Sequence, residues 1–195
     1  MFKGLNESKM SSQHQNAKVF SYPGATAKTL LYKLKHDPNF LQINPSSVQK
    51  VYILCGTNNV DQILGVHKEN YTGFITNHYP SNRLLNEAQQ DITSLIEYLH
   101  QWAQLASINI LNILPRVSAC RNLVINQLNQ FIAHLSDTRP YVQMVRTEAH
   151  RNLFSFKSGD RKNNFFSTNG SDNVHLTHSG IVRLGKYLKY FAHQG

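Results

Sequence analysis

Val48-Gln49-Lys50-Val51-Tyr52-Ile53-Leu54-Cys55-Gly56-Thr57-Asn58-Asn59 is the stretch that decides the fold class of this chain. Residues 51–55 form a nearly continuous apolar run, which is typical of strands buried on both faces of a parallel sheet. A glycine and three polar residues follow at once, so the predicted strand ends in a loop with good turn chemistry. Ligands of open parallel sheets bind beyond the carboxyl ends of the strands, so this loop is a candidate functional segment.

Strands and helices alternate along the rest of the chain. Apolar segments predict strands at residues 18–22, 48–55, 108–114 and 141–146. Apolar residues at three- and four-residue spacing predict helices at 25–35, 84–102, 123–135 and 178–192, with loops at 60–80 and 155–172. This order predicts an α/β fold, a three-layer α/β/α sandwich around a parallel, flavodoxin-like sheet. We expect residues 1–195 to form a single domain.

The composition is that of a globular protein with a basic surface. The chain has 195 residues, 41% of them hydrophobic, and a formal net charge of +9, which favours contact with an anionic partner. No apolar run approaches the roughly 20 residues of a membrane helix, and no apolar segment follows the first residues as in a signal peptide. Its two cysteines, Cys55 and Cys120, form no disulfide framework. We therefore expect a cytoplasmic protein with no membrane partner.

A polar loop ahead of the last predicted helix contains Asp172 and His175. An aspartate at this offset can hold an imidazole in one tautomer and stabilise its charged form, as in the base half of a Ser-His-Asp hydrolase. A helix-start aspartate beside a loop histidine is the structural alternative. A metal site of His175 with His178 and His193 has no support from ligand spacing. We expect no metal and no cofactor.

Two further residues lie where predicted strands end. Gly24 follows the strand at 18–22 and opens a helix, so its backbone N–H can approach a substrate oxygen closely, beside the partial positive charge of the helix N-terminus. The Asn58 side chain can donate a hydrogen bond to a developing oxyanion. Each residue alone also fits an ordinary turn, so the functional interpretation depends on their order at the ends of successive strands.

Four short blocks follow one another in a fixed order over essentially the whole chain. They are Ser21-Tyr22-Pro23-Gly24-Ala25-Thr26, Cys55-Gly56-Thr57-Asn58-Asn59, Leu111-Asn112-Ile113-Leu114-Pro115-Arg116 and Asp172-Asn173-Val174-His175-Leu176-Thr177. Together they resemble the SGNH (GDSL-type) hydrolase superfamily, in particular its esterase and acetylhydrolase-like branch. The resemblance implies hydrolysis of a small carboxylic ester without a cofactor. It assigns His175 as base, Asp172 as its orienting residue, and Gly24 with Asn58 as the oxyanion hole.

The chain departs from the superfamily pattern in two places. Asn59 stands where relatives carry an aspartate, which we expect to change a local turn rather than the chemistry. The strand followed by Gly-Asp-Ser, which carries the nucleophile in relatives, is not found ahead of Gly24. Ser8 is a weak candidate, because no apolar strand precedes it. On these residues we expect an impaired or inactive hydrolase whose first strand is missing.

A second hypothesis is a non-catalytic module of the same fold that binds nucleic acid. Interleaved basic and aromatic residues suit single-stranded nucleic acid, through phosphate contacts and base stacking. The chain has such a segment, made of Phe154, Phe156, Lys157, Arg161, Lys162, Phe165 and Phe166. A solvated loop anchored by phenylalanines explains the same residues, and the oligomeric state is not predicted.

Overall fold

The computed structural model describes residues 17–65, 80–116, 119–146 and 178–192. The chain divides into two compact units, one of which is Gly24–Arg146, while Met1–Pro23 and Thr147–Gly195 make up the other. The expectation of a single domain stays a prediction. No helix in the described ranges combines the length and the apolar character needed to span a membrane.

A parallel sheet forms the centre of the Gly24–Arg146 unit. Its strands are β1 (Lys50–Ile53), β2 (Ser107–Leu111) and β3 (Val142–Val145), in the order β1-β2-β3. Ile53 lies opposite Ile110, and Leu111 lies opposite Val145. Strand β2 is buried at four of its five positions, as expected for a central strand in a parallel sheet. The predicted α/β fold with a parallel sheet is confirmed.

Helices flank this sheet. They are α1 (Ala27–His36), α2 (Pro38–Leu41), α3 (Thr57–Ile63), α4 (Asn82–Trp102) and α5 (Ala119–Thr138), and a 3₁₀ turn covers Pro45–Ser47. Helix α4 contacts α1, α3 and β2, whereas α5 contacts α3 and β3. The predicted helical face of α4 is confirmed, since Leu85, Ala88, Ile92, Leu95, Ile96 and Leu99 are all buried.

The helix predicted at the end of the chain is also confirmed, as α6 (His178–Ala192). It belongs to the compact unit made of Met1–Pro23 and Thr147–Gly195. Its apolar spacing places four buried side chains along the helix: Ile181, Leu184, Tyr187 and Leu188. A glycine at position 180 near its start is buried as well.

The prediction of a strand at residues 18–22 is wrong. The segment has no regular secondary structure, and the sheet of the described residues begins with β1. A five-residue segment whose apolar residues are Val19, Phe20 and Tyr22 suits an extended coil as well as a strand, because strand formation depends on the neighbours that a segment pairs with. The chain therefore enters α1 from a coil and a turn at 23–24.

The predicted loop at residues 60–80 is corrected at its start. The chain forms α3 directly after β1, with Gly56 as its N-cap in the left-handed region at φ 97°. Residues 66–79 lie outside the described ranges. Asn58 and Asn59, which favour turns in isolation, are instead in the first turn of α3, since both side chains bond to another segment.

Candidate active site

Gly24 lies in the turn just before α1. Its φ of 76° is in the left-handed region, and a Cβ built there would meet no described atom within 4 Å. The position is exposed, so a substrate oxygen can approach its backbone. Thr26 caps the helix through its side chain, which accepts a hydrogen bond from the Thr29 N–H.

Asn58 and Asn59 join the start of α3 to the start of α1. The Asn58 Nδ2 atom donates to the Ala25 carbonyl at 2.9 Å, and the Asn59 Oδ1 atom accepts from the Ala27 N–H at 3.0 Å. A side-chain amide carries two N–H donors, and the bond to Ala25 uses one of them. The second N–H of the half-buried Asn58 is a candidate donor to a substrate oxygen. The predicted oxyanion residues therefore lie on two segments that these bonds hold together.

A buried charge cluster lies at the same edge of the sheet. Arg116 Nη1 donates to both oxygens of Asp61, at 2.7 and 2.8 Å, and Arg121 Nε donates to Oδ1 at 2.8 Å. The three residues are only 6–7% exposed. Arg116 Nη2 also donates to the Thr57 carbonyl at 2.8 Å. Arg116 therefore binds α3 at two points, one of them the residue before Asn58.

The ionised form of Asp61 is favoured in the folded chain. Burial acts to raise the pKa of this carboxyl, but the charges and hydrogen bonds of Arg116 and Arg121 outweigh it and hold the pKa below its usual value. Asp61 is therefore a structural anion rather than a proton donor at neutral pH. Its role is to hold two buried guanidinium groups.

This ion cluster predicts a loss of stability in acid. Because the folded-state pKa is below that of an unfolded aspartate, about 3.9, Asp61 stabilises the fold fully above that value. The contribution is lost as pH falls through the folded-state pKa. Urea unfolding of the wild type and Asp61→Asn should show a constant difference above about pH 5 that shrinks below about pH 4. A difference independent of pH would contradict this.

The segment after β2 is held by two asparagines of α5. Asn129 exchanges two hydrogen bonds with the main chain of Ile113, at 2.7 and 2.9 Å. Asn122 does the same with the main chain of Arg116, at 2.7 Å in both directions. The Asn112 N–H still bonds to the Val145 carbonyl of β3, but both main-chain groups of Ile113 bond to a side chain. These bonds explain why the strand predicted at 108–114 does not continue to its predicted end.

Cys55, two residues after the end of β1, is not a substitute nucleophile. The thiol is buried, and burial raises its pKa to about 12. A cysteine attacks as the thiolate, which is negligible at neutral pH with such a pKa. The residue is a packing side chain, as its place in an apolar run indicates.

Other predicted site residues lie outside the described ranges. These are Ser8, Asp172, His175 and the basic-aromatic residues between 154 and 166. Their assignments stay predictions. Sequence reasoning missed the Asp61 cluster, although an aspartate between Val60 and Ile63 was a signal that a charge would be buried.

The bond from Asn59 to α1 leads to a stability prediction. Asn59→Ala removes the acceptor of the buried Ala27 N–H, so we expect the free energy of unfolding to fall by about 2 kcal/mol. Asn44→Ala is the matched control, because Asn44 Oδ1 accepts from Ser46 N–H on the exposed surface. There water replaces the lost bond, and the expected cost is about 0.5–1 kcal/mol. Equal losses in urea unfolding would contradict the buried role of Asn59.

Comparison with known proteins supports the fold. No protein family model matches the chain, and neither does any curated protein. Among solved structures, the chain is similar to a protein from Streptococcus pneumoniae provisionally named a platelet activating factor. The TM-score is 0.66 at 20% sequence identity, and the match covers 92% of this chain and 73% of that one. At this identity the likeness shows a shared fold.

Proposed function

We propose that this chain is a carboxylic ester hydrolase domain of the SGNH type. The observation that carries the proposal is the hydrogen bond from Asn58 Nδ2 to the Ala25 carbonyl. It joins the turn that contains Gly24 to the first turn of α3, so two candidate oxyanion donors come from adjacent segments. The four sequence blocks and the fold likeness support the same function.

In this proposal a serine Oγ attacks the ester carbonyl carbon while His175 takes its proton and Asp172 orients the imidazole. The Gly24 N–H and the second N–H of Asn58 bind the oxygen that becomes negative. His175 then returns the proton to the leaving alcohol, and water hydrolyses the acyl-serine by the same route. Ser8 is the candidate nucleophile within residues 1–195, and a Gly-Asp-Ser strand joined ahead of Met1 is the alternative source.

The test is hydrolysis of p-nitrophenyl acetate by the chain and by a form extended at its N-terminus with a strand and Gly-Asp-Ser. In the form that turns over, Asn58→Ala should lower kcat about 10²–10³-fold, because one oxyanion donor is lost. Asn82→Ala is the control, since Asn82 is an exposed asparagine at the start of α4. A folded extended form that is inert, or equal activity of the two variants, would refute the proposal.

A further inference from the structure

The Asp61 cluster is more than a buried ion pair, because one of its arginines also contacts the oxyanion segment. Arg116 uses Nη1 for the carboxylate of Asp61 and Nη2 for the carbonyl of Thr57. The guanidinium group is a rigid planar fork, so the two contacts fix each other's geometry. Thr57 is the first residue of α3 and precedes Asn58 in the chain.

Arg116 is itself held firmly at its main chain. Its N–H donates to Asn122 Oδ1, and its carbonyl accepts from Asn122 Nδ2, so the side chain extends from a fixed backbone. Hydrogen bonds therefore link Asn122 of α5 to the main chain of Arg116, and the side chain of Arg116 to the Thr57 carbonyl. From there the covalent chain leads to Asn58, whose amide bonds to the Ala25 carbonyl.

The two arginines of the cluster differ in what they hold. Arg121 donates through Nε to the Asp61 carboxylate, at 2.8 Å. Arg116 donates to that carboxylate as well, and its Nη2 atom also donates to the Thr57 carbonyl, beside Asn58. Both residues are buried, each 6% exposed. The pair thus offers a comparison between two buried arginines that both bind Asp61, of which Arg116 also bonds to the Thr57 carbonyl.

We propose that Arg116 is a positioning residue of the oxyanion site, which orients the Asn58 amide by fixing the Thr57 carbonyl and Asp61 within α3. This inference rests on the proposed function. Catalytic groups must be held close to their productive geometry, and a misplacement of about 1 Å can cost about 10²-fold in rate. Arg116 has no contact with substrate in this role, and it acts through Asn58.

The first experiment needs no activity. Proton NMR of the full chain follows cross-relaxation between the Asn58 side-chain amide and the Ala25–Thr26 backbone. Arg116→Lys keeps the positive charge but not the planar fork, so these signals should be lost or strongly shifted. Arg121→Lys, the matched control, should retain them. Retention in folded Arg116→Lys, or equal loss in both variants, would overturn the proposal.

A second variant covers the case in which Arg116→Lys does not fold. Asn122→Ala frees the main chain of Arg116 without disturbing the charges. It should weaken the same Asn58 signals, whereas unchanged signals would count against the series of bonds from α5.

Kinetics separate this proposal from the proposed function. In a form that hydrolyses p-nitrophenyl acetate, Arg116→Lys should lower kcat about 10–100-fold and change KM less than about twofold. In an Asn58→Ala background the same change should cost less than about threefold, because residues acting through one group are not additive. Additive losses would overturn the positioning role. No hydrolysis in any form would refute the proposed function and leave the NMR result to decide on Arg116.

Discussion

Asp61→Asn is expected to lower the free energy of unfolding by about 3–5 kcal/mol, the cost of removing one partner from a buried ion pair. The substitution keeps the shape of the side chain but leaves Arg116 and Arg121, both 6% exposed, without a counter-charge at this position. Urea unfolding followed by circular dichroism measures the loss. The free energy of unfolding of a small domain is only about 5–15 kcal/mol. A loss of this size should therefore lower the urea concentration at the unfolding midpoint strongly.

Asp137→Asn is the control for this prediction, because Asp137 is an exposed aspartate on α5. Surface substitutions of this kind usually change the free energy by less than about 0.5 kcal/mol. Similar midpoints for the two variants would mean that the buried cluster contributes no more to stability than a surface charge.

Gly56→Ala is the second substitution with a large expected effect, about 3 kcal/mol of lost stability. Two costs combine at this position. The φ of 97° lies in the left-handed region, which disfavours any side chain, and a Cβ would overlap the side chain of the fully buried Ile113. Gly56 is therefore needed both for its backbone conformation and for the close approach of the segment after β2.

Two further variants separate these costs. Gly65→Ala has a similar backbone conformation, at φ 65°, with no described atom within 4 Å of the added Cβ. It should cost only about 1–2 kcal/mol. Ile113→Val removes the terminal carbon that overlaps most, so it should partly restore Gly56→Ala although it destabilises the wild type by about 0.5–1.5 kcal/mol. Additive effects of Gly56→Ala and Ile113→Val in denaturant unfolding would rule out the overlap.

The elements that the sequence predicts best are those with strong periodicity. Helix α4 has an apolar face over its whole length, so both its extent and its buried side chains followed from spacing. The segment at 18–22 was misassigned because five residues carry too little pattern. Helix α3 was missed because Gly56 and the asparagines favour a turn locally, and only contacts with α1 make the helical state favourable.

The site could be predicted only in part, for a related reason. Gly24 and Asn58 stand at recognisable places in the sequence, after strand-like segments, and the hydrogen bond through Ala25 brings their segments together. The partners of Asp61 could not be found this way. Arg116 and Arg121 are 55 and 60 residues away along the chain, and no local pattern relates a carboxylate to arginines at that distance.

Those same separations have a consequence for the order of folding. Closing a loop of this length costs chain entropy that is recovered only once β2, which lies between Asp61 and Arg116 in the chain, has paired with its neighbours. The described strands pair in parallel, so each pair is joined by a long crossover connection and not by a tight hairpin. The Asp61 cluster should therefore form after the main folding barrier. Interactions that form after the barrier stabilise the native state but not the transition state. The cluster should therefore lower the unfolding rate constant and have little influence on the folding rate constant.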